Sequence, residues 1–229
     1  MSTDELEFDV LATTRIRRAT AKRLRASVAT KPSVTLHRTF DAAGLFGRAD
    51  YLRAHAKGNV RPTLTSVLAV VLARVLEQDP LMNSCLLEGD QMCRYKEVHL
   101  AVAIATDQGL VAPVMRPADL VDDVGAALAL AGLSNAARGG GLKPEQLAPF
   151  TFTLTNLGSL GVEYFTPIVN PPNVGILGVG RSGSALKLPV SLTFDHAAVD
   201  GVDGARFLQS LANEIDRVEV QPKYATGEA

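Results

Sequence analysis

Tryptophan is absent from this chain of 229 residues, aromatic residues make up only 5%, and there are two cysteines. Two cysteines cannot form a disulfide framework. We therefore expect Cys85 and Cys93 to be free thiols on strands that flank the turn-like residues 88–90. The formal net charge is −1, so the chain has no strong electrostatic potential of one sign. This argues against nucleic acid or a membrane surface as a partner.

Long apolar runs are missing as well. The longest stretches, such as residues 67–72, are far too short to span a bilayer. Residues 1–8 are acidic and polar, and they lack the basic and apolar regions of a secretory signal. The sequence therefore predicts a cytoplasmic protein without a membrane segment.

Metal and nucleotide motifs are also lacking. His37, His55 and His99 have no clustered partners at metal-ligand spacing, so no metal site is predicted. Residues 139–141 are three glycines, but they follow a helical stretch instead of a strand. This context predicts a flexible connection and not a phosphate-binding loop.

The periodicity of apolar residues predicts the fold class. Hydrophobic residues make up 47% of the chain, an ordinary globular composition that can bury a core. Helical stretches cover residues 16–31, 41–52 (with Asp41 as cap), 64–78, 122–138 and 202–218, and strand-like stretches cover 34–40, 84–87, 92–95, 98–106, 110–115, 152–155, 174–179 and 190–194. The turn at 107–109 predicts a hairpin. Irregular alternation with hairpins indicates an α/β two-layer sandwich with a mixed or antiparallel sheet, and not a doubly wound parallel sheet.

A histidine stands where the last predicted strand gives way to a helix. The run FDHAAVDG at residues 194–201 places His196 at this junction. A neutral imidazole at a rigid strand end can remove a proton from a thiol or a hydroxyl. Asp200, four residues on, can fold back and fix the turn. On spacing alone, a His-x-x-x-Asp pattern is more often an ordinary polar turn.

Two further segments carry polar groups on constrained backbone. The run TFTLTNLGS at 151–159 brings hydroxyl and amide groups to a glycine turn, where they can donate hydrogen bonds to an oxyanion or simply cap the strand end. The run FTPIVNPPN at 165–173 predicts a stiff loop. The glycines of VGILGVG at 174–180 allow backbones or ligands to approach closely.

Together these segments resemble the catalytic domain of the 2-oxo acid dehydrogenase dihydrolipoamide acyltransferases. The TFTLTNLG strand, the IVNPP loop and the Asp-His-x-x-x-Asp-Gly signature occur in that family's order. Further matches are RIRRATAKRL at 15–24, PLMN at 80–83, GLVAPV at 109–114 and LKPEQL at 142–147. The resemblance covers roughly residues 12–218 and rests on several specific motifs in register.

The resemblance implies a fold shared with chloramphenicol acetyltransferase, a homotrimer, and active sites in channels between subunits that coenzyme A (CoA) and dihydrolipoamide reach from opposite sides. It implies that His196 deprotonates the attacking thiol and that Thr155 donates a hydrogen bond to the tetrahedral oxyanion. Asp200 would orient the active-site loop through one of Arg17 and Arg18. Contacts with CoA are implied for Thr155, Asn156, Ser159, Gly180, Ser182 and Thr63 and, from a looser alignment, for Arg48 and Ser134.

Three departures from the family pattern bear on function. Ala197 stands where the family commonly has an arginine after the histidine. Residues 1–12 resemble an N-terminal arm and 13–220 the acyltransferase domain, so we expect no lipoyl or subunit-binding domain, and a lipoyl group would come from another chain. Residues 221–229 form a polar tail where the family's large cores use an apolar segment. We therefore expect assembly to stop at the trimer.

Two other functions stay open. A free-standing acyltransferase could act on a small-molecule or carrier-protein acceptor, although Asp195 stands where drug acetyltransferases and condensation domains usually have a second histidine. The chain could also be a non-catalytic trimeric scaffold subunit. The combination of His196, Asp200 and Thr155 argues against a scaffold, which has no physical need for these residues.

Overall fold

The computed structural model describes residues 9–56, 61–87, 91–107, 109–183 and 185–220. Helices α1 to α5 are Arg15–Thr30, Ala43–His55, Leu64–Gln78, Asp123–Arg138 and Gly201–Asp216. Strands β1 to β10 are Ser33–Asp41, Ser84–Leu86, Met92–Arg94, Leu100–Val102, Ile104–Thr106, Gly109–Val111, Val114–Met115, Phe152–Asn156, Gly175–Val179 and Lys187–Asp195. The predicted tail and most of the predicted arm lie outside the described residues. Within those ranges, no helix is long and apolar enough to cross a membrane.

One six-stranded sheet organises the fold, in the order β1-β10-β9-β8-β4-β7. Strand β8 runs parallel to both β4 and β9, and the other neighbouring pairs are antiparallel. The hairpins β2-β3 and β5-β6 form separate two-stranded sheets. The predicted α/β sandwich with a mixed sheet is confirmed.

One face of the sheet packs on helices. Because side chains alternate along a strand, β8 directs Phe152 and Leu154, and β10 directs Leu192 and Phe194, into a core shared with α2, α3, α4 and α5. Helix α3 is buried almost all round, as its uniformly apolar sequence predicts. Each large side chain buried in this way stabilises the fold by about 1.5–3 kcal/mol.

The opposite face of the sheet is polar. Between β1 and β10, the Thr35 and Thr193 hydroxyls lie 2.8 Å apart, and His37 Nδ1 lies 2.9 Å from Ser191 Oγ. Thr153 and Thr155 of β8 belong to the same face by the register of β8, β9 and β10. The hydroxyl-bearing residues singled out from the sequence are thus directed away from the helical core.

The predicted strands over 98–106 and 110–115 are each divided in two. Strands β4 and β7 join the main sheet, whereas β5 and β6 pair in a separate hairpin. The chain changes partners at Ala103, whose N–H donates to Leu154 O at 2.9 Å. Pro113, between β6 and β7, has no N–H with which to continue a ladder. An apolar pattern does not reveal such a change of partner.

The two cysteines face each other in the β2-β3 hairpin. Cys85 and Cys93 are register partners, and both are free thiols. The turn that joins the two strands, residues 88–90, lies outside the described residues. The expectation of free thiols on flanking strands is confirmed.

Asp41 does not cap α2 in the predicted way. Its Oδ1 accepts the N–H of Ala43 at 3.3 Å, but Ala42 is the residue that precedes the helix, and it has no side-chain cap. Asp41 Oδ2 lies 2.9 Å from Lys187 Nζ, across the β1-β10 pair. The carboxylate therefore joins the ends of two strands as well as the start of a helix.

Candidate active site

The predicted general base lies on an exposed turn between β10 and α5. The backbone N–H of His196 donates to Pro32 O at 2.9 Å. The N–H groups of Ala198 and Val199 both donate to Asp195 O at 3.0 Å, which closes a single turn directly after the strand. His196 is thus held by its backbone while its side chain is open to solvent.

A buried ion pair fixes this turn, and the sequence analysis missed it. Asp195 Oδ2 lies 2.8 Å from Lys31 Nζ, and their side chains are 2% and 8% exposed. Asp195 Oδ1 accepts the N–H of Ala197 at 3.1 Å. The signal available in the sequence was a carboxylate that follows a fully apolar strand position, because a buried carboxylate needs a cation nearby.

Asp200 has a different position from the one expected. It precedes α5, is exposed, and makes no side-chain capping hydrogen bond. Within one chain, the carboxylate that holds the turn is that of Asp195. The ion pairs among the described residues include none between Asp200 and Arg17 or Arg18, so the arginine–aspartate pairing is not formed inside a single chain.

Thr155 lies near the end of β8 with its side chain 9% exposed. Its hydroxyl has no hydrogen-bond partner in the part of the chain that the structure describes. Thr153, two residues earlier on the same face, has a buried hydroxyl that is likewise without a partner there. Two hydroxyls free to donate therefore point away from the helical core at one place on the sheet.

Both threonines line a cavity of about 700 Å³ between α1, the β5-β6 hairpin and the polar face of the sheet. The walls are mostly apolar, with side chains such as Ile16, Leu24, Leu110, Phe150, Phe165 and Ile176. Such a space suits an apolar chain whose one polar group meets the threonine hydroxyls.

His196 and Thr155 are far apart in one chain. Thr155 is the register partner of Gly178 on β9, and Gly178 is the register partner of Ser191 on β10. His196 lies five residues beyond Ser191 and two strands away from Thr155. With the usual spacings along and between strands, the two Cα atoms are roughly 19 Å apart. The two groups of one chain cannot act on the same carbonyl group.

Four of the predicted CoA-binding residues gather at one end of β8 and β9. Asn156 Nδ2 donates to Thr65 Oγ1 at 3.1 Å, which brings it beside Thr63 at the start of α3. Ser159 lies in the short 3-10 helix that follows β8, and a Cβ added at Gly158 would lie 2.6 Å from Gly180 O. These residues lie near one another, with Thr63 and Ser159 exposed and Gly180 buried.

Apart from Thr155, which lines the cavity, the three remaining predicted CoA-binding residues are more scattered. Ser182 is in the segment after β9, where its hydroxyl donates to Gly183 O at 3.2 Å. Arg48 of α2 pairs with Asp123 at the start of α4, with Nε and Oδ2 2.8 Å apart. Ser134 lies further along α4, about 16 Å from Asp123 at the usual rise per residue. The structure does not bring Arg48 and Ser134 together.

The proline-rich loop is tied to α1 and to the β2-β3 region. Ser27 Oγ donates to Val169 O at 2.6 Å, and Arg23 Nη2 donates to Pro171 O at 3.1 Å. Tyr95 Oη donates to Asn173 Oδ1 at 3.0 Å. Burial, with a smaller contribution from Cys85, raises the pKa of the Tyr95 phenol, so it stays a hydrogen-bond donor. The loop is anchored by these hydrogen bonds at Val169, Pro171 and Asn173.

No group of three or more His, Cys, Asp or Glu residues that could hold a metal ion occurs within the described ranges. The groups that the structure places at the candidate site are an imidazole, two threonine hydroxyls and a buried ion pair. These groups suit proton transfer and stabilisation of an oxyanion.

The model of the family 2-oxoacid dehydrogenases acyltransferase (catalytic domain) matches residues 5–221. The chain belongs to this family. The resemblance stated from the sequence motifs is thereby confirmed. The acyltransferase domain is 33% identical to the dihydrolipoyllysine-residue acetyltransferase component of the acetoin cleaving system of Bacillus subtilis (strain 168), over 93% of this chain and 56% of that protein. The chain thus spans about half the length of the curated relatives it matches.

Solved structures agree with the family. The domain is 30% identical to the Azotobacter vinelandii dihydrolipoamide acetyltransferase, with a TM-score of 0.89 over 94% of each chain. In that protein the roles of a serine, a histidine and an asparagine in the catalytic mechanism have been investigated. Chloramphenicol acetyltransferase is 13% identical, with a TM-score of 0.58 over 85% of this chain and 94% of that one, a likeness of fold alone. The predicted fold relationship is confirmed.

Proposed function

We propose that the domain transfers an acyl group between CoA and a dihydrolipoyl thiol, with His196 as general base and Thr155 as oxyanion donor. The observation that carries the proposal is the free Thr155 hydroxyl beside a large, mostly apolar cavity in a member of this family. A hydroxyl without a protein partner can donate to an oxygen that becomes negative during the reaction.

The reaction balances with these groups alone. The imidazole of His196 takes the proton of the attacking thiol, and the sulfur forms a bond to the thioester carbonyl carbon. The carbonyl oxygen becomes an oxyanion that accepts a hydrogen bond from Thr155. When the carbonyl reforms, the bond to the leaving sulfur breaks, and this sulfur takes the proton from the imidazolium.

A site shared between copies follows from the separation of the two groups. Because His196 and Thr155 of one chain are roughly 19 Å apart, a working site needs the histidine of one copy and the threonine of another. A head-to-tail contact of this kind closes into a ring, and a homotrimer is the ring that the family resemblance favours. In such a ring, Asp200 could meet Arg17 or Arg18 of a neighbouring copy.

The region around Asn156, Ser159, Gly180 and Thr63 is our candidate for the CoA contact, with Thr63 and Ser159 as its exposed members. Ser182, Arg48 and Ser134 are more distant candidates. The Bacillus subtilis relative is a component of an acetoin cleaving system. By analogy, we propose that this domain works with a lipoyl-bearing protein on another chain. A cytoplasmic location, where free thiols such as Cys85 stay reduced, fits this role.

The test is acyl transfer from a panel of acyl-CoAs to free dihydrolipoamide, with released CoA quantified by chromatography. We expect turnover that His196→Ala removes, because no other described group replaces the base. His55→Ala is the matched control, since His55 is an exposed histidine of α2 that contacts Tyr51 and not the turn. Turnover retained by His196→Ala would contradict the assigned base. A folded wild type that binds CoA but transfers nothing would point to another acceptor, and one that does not bind CoA would favour a scaffold.

A further inference from the structure

The turn that carries His196 is held by an ion pair between Asp195 and Lys31, a lysine from a distant part of the sequence. Lys31 Nζ and Asp195 Oδ2 are 2.8 Å apart, and both side chains are nearly buried. Burying two charges costs desolvation free energy that the attraction between them often only offsets. A buried ion pair therefore adds little net stability to the fold. Its more informative role is to hold neighbouring groups in a fixed position.

Asp195 holds the backbone on both sides of the histidine. Its N–H donates to Val174 O at 2.8 Å, which fixes the residue before His196. Its Oδ1 accepts the N–H of Ala197 at 3.1 Å, which fixes the residue after it. A carboxylate that moved or turned would release the second of these contacts and with it the start of the turn.

Lys31 reaches Asp195 from the end of α1. Its own N–H donates to Ser27 O at 2.9 Å, and Ser27 Oγ donates to Val169 O at 2.6 Å. The next residue, Pro32, accepts the N–H of His196 at 2.9 Å. Lys31 therefore connects the histidine turn to α1 and, through Ser27, to the proline-rich loop.

We infer that Lys31 is a positioning residue of the acyl-transfer reaction, which through its ion pair with Asp195 fixes the turn and so the direction of the His196 imidazole. The inference rests on the function proposed above, in which this imidazole removes the thiol proton. A displacement of about 1 Å in a reacting geometry costs on the order of 10²-fold in rate. Since the ammonium group contacts the carboxylate and not the reacting atoms, the effect is expected in kcat and not in KM.

The same two strands provide a matched control. Ser33 pairs with Asp195 at one end of the β1-β10 ladder, and Asp41 pairs with Lys187 at the other. Lys187 Nζ and Asp41 Oδ2 are 2.9 Å apart, so this is a second lysine–aspartate pair across the same strands. This pair is exposed and has no contact with the histidine turn, so Lys187→Met removes a lysine–aspartate pair elsewhere in the fold.

The experiment compares steady-state kinetics of three variants with wild type. Lys31→Met is expected to lower kcat by about 10- to 100-fold with KM for acyl-CoA unchanged. Lys31→Arg keeps the cation and is expected to recover most of the loss, and Lys187→Met to keep wild-type kcat. A wild-type kcat in Lys31→Met, or an equal loss in Lys187→Met, would overturn the inference.

A double variant separates positioning from folding. Lys31→Met leaves a buried carboxylate without a cation, which destabilises the fold. Adding Asp195→Asn removes that charge, and we expect the urea midpoint to return towards wild type while kcat stays low. Recovery of kcat together with stability would mean that the pair serves the fold only, and the inference would be wrong.

An activity-independent measurement distinguishes failure of the proposed function from failure of this inference. If the wild type transfers no acyl group to any acceptor, the ring resonance of His196 in a ¹H–¹³C spectrum still reports on the turn, once assigned by its loss in His196→Ala. We expect it to shift in Lys31→Met and to stay in place in Lys187→Met. A resonance unmoved in Lys31→Met overturns the inference whatever the activity.

Discussion

A methyl group added at Gly180 would lie 1.7 Å from the carbonyl oxygen of Glu163, far inside van der Waals contact. The chain before β9 therefore passes directly over this glycine, and the N–H of Arg181 donates to Val162 O at 2.6 Å. The residue singled out as a CoA contact is thus also required by packing. At the scale of single residues, this glycine is required because the backbone of Glu163 occupies the place of a side chain.

We expect Gly180→Ala to lower the free energy of unfolding by about 2–3 kcal/mol, because the backbone of Glu163 has to move away. Gly183→Ala is the control, since nothing lies within 4 Å of a Cβ added there. Urea denaturation of both variants and wild type measures the difference. Equal stability of the two variants would contradict this account of the packing.

At the scale of secondary-structure elements, β1 and β10 are joined by ion pairs at both ends. The pair of Asp41 and Lys187 lies at the solvent-exposed end. The Lys187 ammonium, followed by the N–H of Ala43, lowers the pKa of the Asp41 carboxyl below its ordinary value of 3.8. A carboxyl whose pKa is lower in the folded state stabilises the fold above its unfolded pKa. This stabilisation is lost as the pH falls through the folded pKa.

Asp41→Asn is therefore expected to have a lower free energy of unfolding than wild type at pH 7. The difference in this free energy is expected to become smaller as the pH falls below about 4. Urea midpoints at pH 7, 4 and 3 measure this narrowing. Asp203→Asn serves as the control, because Asp203 pairs with Arg206 inside α5 and not across strands. A difference between wild type and Asp41→Asn that is constant with pH would contradict the assigned cause.

The elements themselves differ in how far the sequence predicts them. Helix α3 has its predicted bounds, because an apolar run that ends at Asp79 and Pro80 is a local signal. The motif resemblance proposes His196 and Thr155 as site residues, and their roles stay predictions. The ion pair between Lys31 and Asp195 could not be predicted in this way. It depends on the register of β1 against β10, and no local pattern encodes that register.

At the scale of the whole molecule, the separation of His196 and Thr155 predicts complementation between inactive variants. His196→Ala and Thr155→Ala are each expected to lose most activity, since removal of an oxyanion donor costs on the order of 10²–10³ in kcat. If each site takes its histidine from one copy and its threonine from the next, co-expression restores intact sites. In a mixed ring of three copies, one of the three sites is intact, so we expect about one third of wild-type activity.

Differently tagged variants, co-purified as mixed oligomers, provide the measurement. The control is a mixture of the two variants purified separately and combined only in the assay, which is expected to stay inactive while subunits do not exchange. Co-purified oligomers no more active than the separate variants would mean that the site is not shared in this way. The sequence could not supply this prediction from its residues alone, because motif spacing does not report distance across a sheet.

The pairing of β1 with β10 also constrains the order of events during synthesis. Strand β1 is Ser33–Asp41, whereas its partner β10 is Lys187–Asp195 and is therefore translated much later. Until β10 leaves the ribosome, β1 has no partner in the six-stranded sheet. Pairings between such distant segments close late and fold slowly. The turn of His196 is therefore completed only after β10 has been synthesised, so a nascent chain that ends before β10 lacks this turn.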